Sequence, residues 1–184
     1  MSPKVFTAFE EILNKQYSGK PPEAVVEVGA YHWSLLGLDV FKSSRKIALN
    51  LSFDERDKQA LAGYEIVTGN TNQLPFADAS IDCIMSCSVL EHDKYFWKSI
   101  EEIKRVLKPG GMFVVGVPVY LRLKTDRFHT TLTYHLHGIS YHADFYRFSL
   151  QTIEELMLDG YEQKDIRLVR RYPNPYAVAF GIKP

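Results

Sequence analysis

The sequence has little cysteine, no surplus of charge and no long apolar run, and each absence narrows the class of protein. Lysine plus arginine and aspartate plus glutamate number 22 each, so no global field attracts nucleic acid or an anionic membrane. No apolar stretch approaches the ~20 residues of a transmembrane helix. Residues 1–10 lack the apolar core of a secretory signal peptide. We therefore expect a cytoplasmic protein with no membrane partner.

The two cysteines, Cys83 and Cys87, lie four positions apart in one apolar segment. In a strand they would point to the same face of the sheet but lie ~13 Å apart, which is too far for a disulfide. Buried thiols of this kind are typical of a reducing compartment, in agreement with the cytoplasmic prediction.

Short apolar runs alternate with amphipathic segments along the chain. Runs of strand type cover residues 24–29, 46–51, 64–68, 81–89, 112–119, 166–171 and 176–182. Segments of helical spacing cover residues 3–17, 32–41, 54–62, 94–107 and 149–158. This alternation predicts a mostly parallel sheet between helices. The last two runs flank a proline-rich turn, which predicts an antiparallel pair at the C-terminal edge.

Ligands of such sheets bind beyond the carboxyl ends of the strands, where the strand order reverses. Four segments at the carboxyl ends of predicted strands should meet there: 29–33, Asn50, 70–71 and 88–92. The first of them begins with Gly29, and glycine lets the backbone approach a ligand closely. The sequence therefore predicts one ligand crevice at this edge.

Four segments of the chain resemble motifs of one enzyme superfamily. Residues 74–84 read LPFADASIDCI, 86–92 read SCSVLEH, 101–111 read EEIKRVLKPGG and 144–149 read DFYRFS. In this order they are similar to the class I S-adenosylmethionine-dependent methyltransferases, chiefly the group called type 11. The resemblance implies a Rossmann-like three-layer α/β sandwich with a mostly parallel seven-stranded sheet and an antiparallel strand near the C-terminal edge. It also implies S-adenosylmethionine as cofactor and methyl transfer to a small-molecule acceptor.

The cofactor loop of the family follows the first strand, which ends in an acidic residue. Glu27 and Gly29 match that pattern, while the later glycines of the loop are replaced here by Tyr31 and Trp33. Glycine serves in such loops because backbone must come close to the ligand. Two large aromatics would either crowd the cofactor or be turned away from it.

Two further cofactor positions carry amides where the family carries acids. Asn50 takes the place of the residue that accepts hydrogen bonds from the ribose, and Asn70 that of the residue near the adenine amine. A neutral amide is a weaker acceptor than a carboxylate. The cofactor residues that the resemblance implies are Glu27, Gly29, Ala30, Tyr31, Asn50, Leu51, Asn70, Thr71 and Ser88.

The altered loop leaves two functions open. The first is a methyltransferase; the second is a catalytically silent methyltransferase-like domain that acts as a binding or assembly partner, with Tyr31 and Trp33 filling the cofactor space. A domain for another nucleotide is disfavoured by the LPF and Pro-Gly-Gly motifs. Aromatic side chains that point into the crevice would favour the silent domain. Aromatic side chains that pack under the sheet and leave backbone N–H groups free would favour the enzyme.

Residues 120–148 form a long segment rich in aromatics and histidine, and loops of this length usually have a function. We expect a single domain over residues 1–184 in which this segment is a lid that shapes the substrate pocket. Methyl transfer needs alignment, exclusion of water and sometimes a general base. The candidate catalytic residues are His92, His142 and Tyr120.

Metal ions and nucleic acid are alternative ligands to the cofactor and methyl acceptor. His135, His137 and His142 suit zinc or nickel, but their spacing matches no known site, and we expect no metal. Asp144 and Arg147 are interpreted as a surface ion pair. The balanced charge disfavours nucleic acid. The exposed sheet edge and the N-terminal helix are candidate surfaces for a homodimer.

Overall fold

The computed structural model describes residues 2–120, 144–170 and 175–184. The strands in these residues are β1 (Ala24–Val28), β2 (Arg45–Asn50), β3 (Glu65–Thr68), β4 (Ile81–Cys87), β5 (Leu107–Pro118), β6 (Glu162–Val169) and β7 (Tyr176–Ile182). The α-helices are α1 (Pro3–Gln16), α2 (Glu55–Ala60), α3 (Phe96–Val106) and α4 (Leu150–Thr152). No helix within these described ranges is both long and apolar enough to cross a bilayer.

Within the described residues, seven strands form one sheet in the order β3-β2-β1-β4-β5-β7-β6. The neighbours from β3 to β5 are parallel, and β7 is antiparallel to both β5 and β6. The predicted fold class, a mostly parallel sheet with an antiparallel strand near the C-terminal edge, is confirmed. The order reverses between β1 and β4, so the carboxyl ends of these strands border the predicted crevice.

Alternate residues of each central strand face opposite layers of the core. Val26 and Ile84 face α3 and belong to one apolar cluster. Val25 and Met85 face the other way and pack with α1. All five residues of β1 are buried, as expected for a central strand covered on both faces. The helix α1 begins with Pro3, whose fixed φ suits the first turn.

Several motif residues of the predicted family hold this fold together instead of lining a site. The guanidinium of Arg105 donates to the carbonyl oxygens of Leu74 and Phe76 and also binds the carboxylates of Asp78 and Glu102. The segment before β4 is thereby fastened to α3. The family motif in this region therefore stabilises the fold.

One predicted element is wrong and others differ in extent. Residues 32–41, predicted as a helix interrupted by Gly37, form two short 3₁₀ turns, Leu35–Gly37 and Asp39–Phe41. The interruption is where it was predicted, but the α-helix is not formed. Leu38 between them has an extended backbone, and burial of Leu35, Leu36 and Phe41 fixes this path. The predicted helix at 149–158 is α4 followed by a π-helical turn, Ile153–Met157. The strand β5 begins at Leu107, so it includes the Pro-Gly-Gly turn expected to precede it, and β6 begins at Glu162.

Candidate active site

A cleft of about 310 Å³ lies at the carboxyl ends of β1, β2 and β4. Of the residues assigned to the cofactor from the sequence, five line it: Gly29, Asn50, Leu51, Asn70 and Thr71. His92 lines it as well. Its volume is within the range of small-molecule sites. The remaining residues assigned to the cofactor, Glu27, Ala30, Tyr31 and Ser88, do not line it.

Gly29 is the point at which the chain leaves β1 and turns along the cleft. Its φ is 75°, a left-handed conformation that glycine adopts at little cost. A Cβ placed on Gly29 would lie 2.2 Å from Cγ2 of Val89. The amides of Gly29 and Ala30 both donate to the carbonyl oxygen of Leu49, at 2.7 and 3.1 Å. These two N–H groups thus fix the loop to β2.

The two aromatics that replace loop glycines do not line the cleft. Trp33 is 58% exposed, and its ring lies beside that of His32. The ring of Tyr31 packs edge-on against His32, with centroids 5.0 Å apart. His32 is held in turn by Asp57, which accepts from its amide and pairs with its Nδ1, both at 2.9 Å. Tyr31 thus packs against its neighbour in the loop, and Trp33 is exposed to solvent.

Glu27 is buried and binds the loop instead of facing the cleft. Its Oε2 accepts from the hydroxyl of Ser34 at 2.5 Å and from the amide of Leu35 at 2.9 Å. Burial raises the pKa of Glu27 to about 7, although these two hydrogen bonds oppose the shift. Glu27 thus shapes the loop that follows β1.

Asn50 joins the loop after β1 to the end of β2. Its Nδ2 donates to the carbonyl oxygen of Ala30 at 2.9 Å, and its Oδ1 accepts from the amide of Leu51 at 2.8 Å. One donor and one acceptor are needed here, which an amide supplies and an ionised carboxylate does not. Oδ1 keeps a second lone pair with which it can accept from a ligand hydroxyl.

The loop after β3 carries Asn70 and Thr71 into the cleft. Oδ1 of Asn70 accepts from the amide of Asn72 at 2.9 Å. Nδ2 of Asn72 donates to Asp93 and to Ser99, both at 2.7 Å. The loop is therefore latched to the segment that begins α3.

Ser88 lies at the end of β4 but does not line the cleft. Its φ is 56°, and its hydroxyl lies 2.8 Å from that of Tyr176 on β7. Ser88 therefore ties β4 to the antiparallel edge.

His92 stands on the opposite wall of the cleft, in the turn Leu90–His92 that follows β4. Its Nδ1 lies 3.1 Å from Oδ1 of Asp144, and Oδ2 of Asp144 pairs with Arg147. The side chains of Asp144 and Arg147 are 2% and 6% exposed. The prediction of a surface ion pair is therefore wrong, because the pair is buried beside His92.

Glu91 precedes His92 and is buried. Burial raises the pKa of its carboxyl to about 8. Its carbonyl oxygen accepts from the amides of Phe145 and Tyr146 at 2.7 and 3.2 Å. The returning end of segment 120–148 is thereby held against the cleft wall.

Tyr120, also proposed for catalysis, does not line the cleft. Tyr120 is exposed, and its amide donates to the carbonyl oxygen of Phe148 at 3.1 Å. His142 lies outside the described residues, as do His135 and His137.

Sequence reasoning did not name all residues of the cleft. The lining also includes Asn72, Asp93, Lys94, Tyr95 and Phe145. All except Phe145 follow shortly after a predicted strand end, which is the signal that could have identified them.

The cleft suits an adenosine-type ligand. Gly29 brings backbone to its wall at a point where a Cβ would collide with Val89, Leu51 offers an exposed apolar side chain, and Asn50 and Asn70 present amides. An apolar surface with a few placed polar groups is the usual composition of a nucleotide site. The residues present therefore fit S-adenosylmethionine.

Comparison with sequence families gives one match over residues 18–115, to a methyltransferase domain. A Mycolicibacterium smegmatis protein named "Probable S-adenosylmethionine-dependent methyltransferase" is 34% identical over 86 residues, which are 45% of this chain and 34% of that protein. An uncharacterized 37.1 kDa protein of a Streptomyces fradiae transposon is 28% identical over 127 residues, 65% of this chain and 37% of its own. The chain thus spans about a third of the length of these curated relatives.

Among solved structures, the chain is similar to a Burkholderia thailandensis 1,6-didemethyltoxoflavin-N1-methyltransferase. The TM-score is 0.73 at 18% identity, and the match covers 97% of this chain and 77% of that one. That structure contains 1,6-didemethyltoxoflavin and S-adenosylhomocysteine. At this identity the likeness concerns the fold.

Proposed function

The chain belongs to the methyltransferase domain family, and on this premise we propose that it transfers a methyl group from S-adenosylmethionine to a small-molecule acceptor. The observation that carries the proposal is the cleft at the reversal of strand order, which contains Gly29, Asn50 and Asn70 and into which neither loop aromatic projects. When bound, the cofactor supplies a methyl group activated by a sulfonium centre.

We divide the residues assigned to cofactor binding into those that line the cleft and those that hold its loops in place. Gly29, Asn50, Leu51, Asn70 and Thr71 line the cleft and would contact the cofactor. Asn50 would accept from a ribose hydroxyl through the second lone pair of Oδ1.

The other four assigned residues would not contact the cofactor but would hold the surrounding loops in place. Glu27 and Ala30 hold the loop after β1 by their hydrogen bonds, Tyr31 packs on His32, and Ser88 positions the end of β4. These residues would therefore preorganise the cleft.

The acceptor would bind on the side of the cleft that carries His92, Tyr95 and Phe145. His92 is the residue we assign to proton removal, because it lies in the cleft wall at the end of β4. Tyr120 and His142 stay predictions. The aromatic rings Tyr95 and Phe145, both exposed, suit a flat organic acceptor.

The silent-domain alternative is less well supported. It requires Tyr31 and Trp33 to fill the cofactor space, yet neither lines the cleft and Trp33 is mostly exposed. Neither side chain fills the cleft, which argues against the silent domain. The amides of Gly29 and Ala30 donate to Leu49, so the condition that the loop N–H groups are free is not met.

Other features of the proposal rest on the sequence. Segment 120–148 as a lid on a single domain, a cytoplasmic location and a homodimer through the sheet edge or α1 are predictions. The small size of the acceptor is supported by the relative of similar fold that binds 1,6-didemethyltoxoflavin.

Calorimetric titration with S-adenosylmethionine and with S-adenosylhomocysteine tests the proposal. We expect micromolar binding, which corresponds to about 8 kcal/mol, and no binding to Gly29→Val, because its side chain would overlap Val89. Trp33→Ala is the control and should bind as the wild type does. No heat of binding at millimolar ligand would refute the function.

A further inference from the structure

We propose that Asp144 and Arg147 position His92 as the base of the reaction, and that the acceptor is therefore methylated at a hydroxyl or amine that must lose a proton. This inference rests on the proposed function. It concerns the kind of atom that receives the methyl group and two residues that no cofactor contact requires.

The contacts run in one line from the protein interior to the cleft. Arg147 pairs with Oδ2 of Asp144, and Oδ1 of Asp144 lies 3.1 Å from Nδ1 of His92. Asp144 and Arg147 are almost fully buried, whereas the side chain of His92 is 35% exposed and lines the cleft. A buried carboxylate needs compensation of its charge, which Arg147 supplies.

Hydrogen bonds around the pair hold Asp144 and His92 in this relative position. Glu91 accepts from the amides of Phe145 and Tyr146, so the chain beside Asp144 is tied to the residue beside His92. The hydroxyl of Tyr146 also donates to the carbonyl oxygen of Lys94 at 2.8 Å. The relative placement of His92 and Asp144 is thus held by contacts outside the pair itself.

Oδ1 of Asp144 lies 3.1 Å from Nδ1 of His92, and neither carboxylate oxygen of Asp144 makes an aligned hydrogen bond within the described residues. The negative charge so close to Nδ1 favours the histidine tautomer that carries its proton on Nδ1. The lone pair of the neutral ring is then on Nε2, the nitrogen of a general base. His32 and Asp57 form a similar pair, but His32 does not line the cleft. Only the His92 pair, among the described residues, combines this geometry with the cleft wall.

The step that follows is balanced without a further reagent. The acceptor's lone pair forms a bond to the methyl carbon as that carbon's bond to sulfur breaks, and the bonding pair stays with sulfur. The acceptor's proton passes to Nε2 of His92 and then to solvent. An acceptor atom without a proton, such as a thioether sulfur or a tertiary amine, would not need this base.

Nitrogen NMR of histidine-labelled protein tests the positioning. In the neutral His92 ring, the proton should be on Nδ1. In Asp144→Asn, Arg147 should keep the amide oxygen, so the amide NH₂ would face Nδ1 and force the proton to Nε2. The signal is assigned by its loss in His92→Gln, and His32 is an internal reference that should not change.

Kinetics provides the second readout, with a panel of phenols and primary amines as methyl acceptors. Asp144→Asn should lower kcat by about 10²–10⁴-fold with KM and S-adenosylhomocysteine affinity within about twofold. The double variant with His92→Gln should be no slower than His92→Gln alone, because Asp144 acts through His92. Glu65→Gln, the same exchange in an exposed pair with Arg45, is the control.

Several outcomes overturn the inference. They are a wild-type ring with its proton on Nε2, additive losses in the double variant, or turnover of thioethers but not of phenols or amines. If S-adenosylhomocysteine still binds in these cases, the proposed function stands alone. If it does not bind the wild type, the proposed function fails, and this inference with it.

Discussion

Replacement of Gly29 by alanine should cost the protein more than backbone strain alone. At φ 75° a residue with a Cβ loses about 1–2 kcal/mol. The Cβ would also lie 2.2 Å from Cγ2 of Val89, and overpacking of this kind costs about 1–3 kcal/mol more. We therefore expect Gly29→Ala to lower the free energy of unfolding by about 2–5 kcal/mol.

Gly63 provides a matched control for the steric part. Its φ is 93°, and an added Cβ would have no heavy atom within 4 Å. Gly63→Ala should therefore lose only the backbone cost of about 1–2 kcal/mol. Denaturant unfolding of both variants, read at equal slopes, measures the difference.

The overlap with Val89 should also weaken ligand binding. Val89 is β-branched and stiff at χ1, and it lines the cleft, so moving it aside changes the wall. Gly29→Ala should weaken S-adenosylhomocysteine binding by about tenfold or more, equal to 1.4 kcal/mol, and Gly63→Ala should not. Equal losses of stability in the two variants, or unchanged affinity in Gly29→Ala, would refute this reasoning.

Three more predictions follow from buried or shared polar groups. Because the pKa of Glu27 is raised from 4.5 to about 7, the folded state holds its proton more tightly, so the free energy of unfolding should fall by up to about 3 kcal/mol as pH rises across that interval. Glu27→Gln should flatten that profile, and an unchanged slope contradicts the assignment. The family pattern suggests that Asn50→Asp strengthens ribose binding, but the aspartate would lose the bond to Ala30 and should destabilise the protein by about 1 kcal/mol, seen as a lower denaturant midpoint. Arg105→Ala should lower the free energy of unfolding by about 2–3 kcal/mol, because it removes the contacts of the guanidinium with four partners. Arg45→Ala, which breaks an exposed ion pair, should lower it by less than about 1 kcal/mol.

Much of the sheet could be predicted from the sequence because strand identity depends on local pattern. The seven apolar runs correspond to β1–β7, since each is short, apolar and bounded by polar or glycine-rich segments. The error at residues 32–41 has a different origin. Their spacing resembles a helix, but the amide of Leu35 and the hydroxyl of Ser34 bind Glu27, and that tertiary contact competes with helical hydrogen bonding.

The position of the site could be predicted better than the roles of its residues. Asn50 and Asn70 reach the cleft because they lie at the carboxyl ends of parallel strands. Ser88 does not, because its positive φ turns its hydroxyl towards Tyr176, 88 residues away in the chain. The pair of His92 with Asp144 likewise joins distant segments, and no local pattern encodes such a partner.

The two ends of segment 120–148 meet. The amide of Tyr120 donates to Phe148, and the amide of Phe148 donates to Pro118, so the residues where the segment leaves β5 and where it returns are hydrogen-bonded to each other. Closing a longer loop between fixed ends costs only about 0.6 kcal/mol for each doubling of its length. We therefore expect insertions between residues 121 and 143 to lower the free energy of unfolding only slightly.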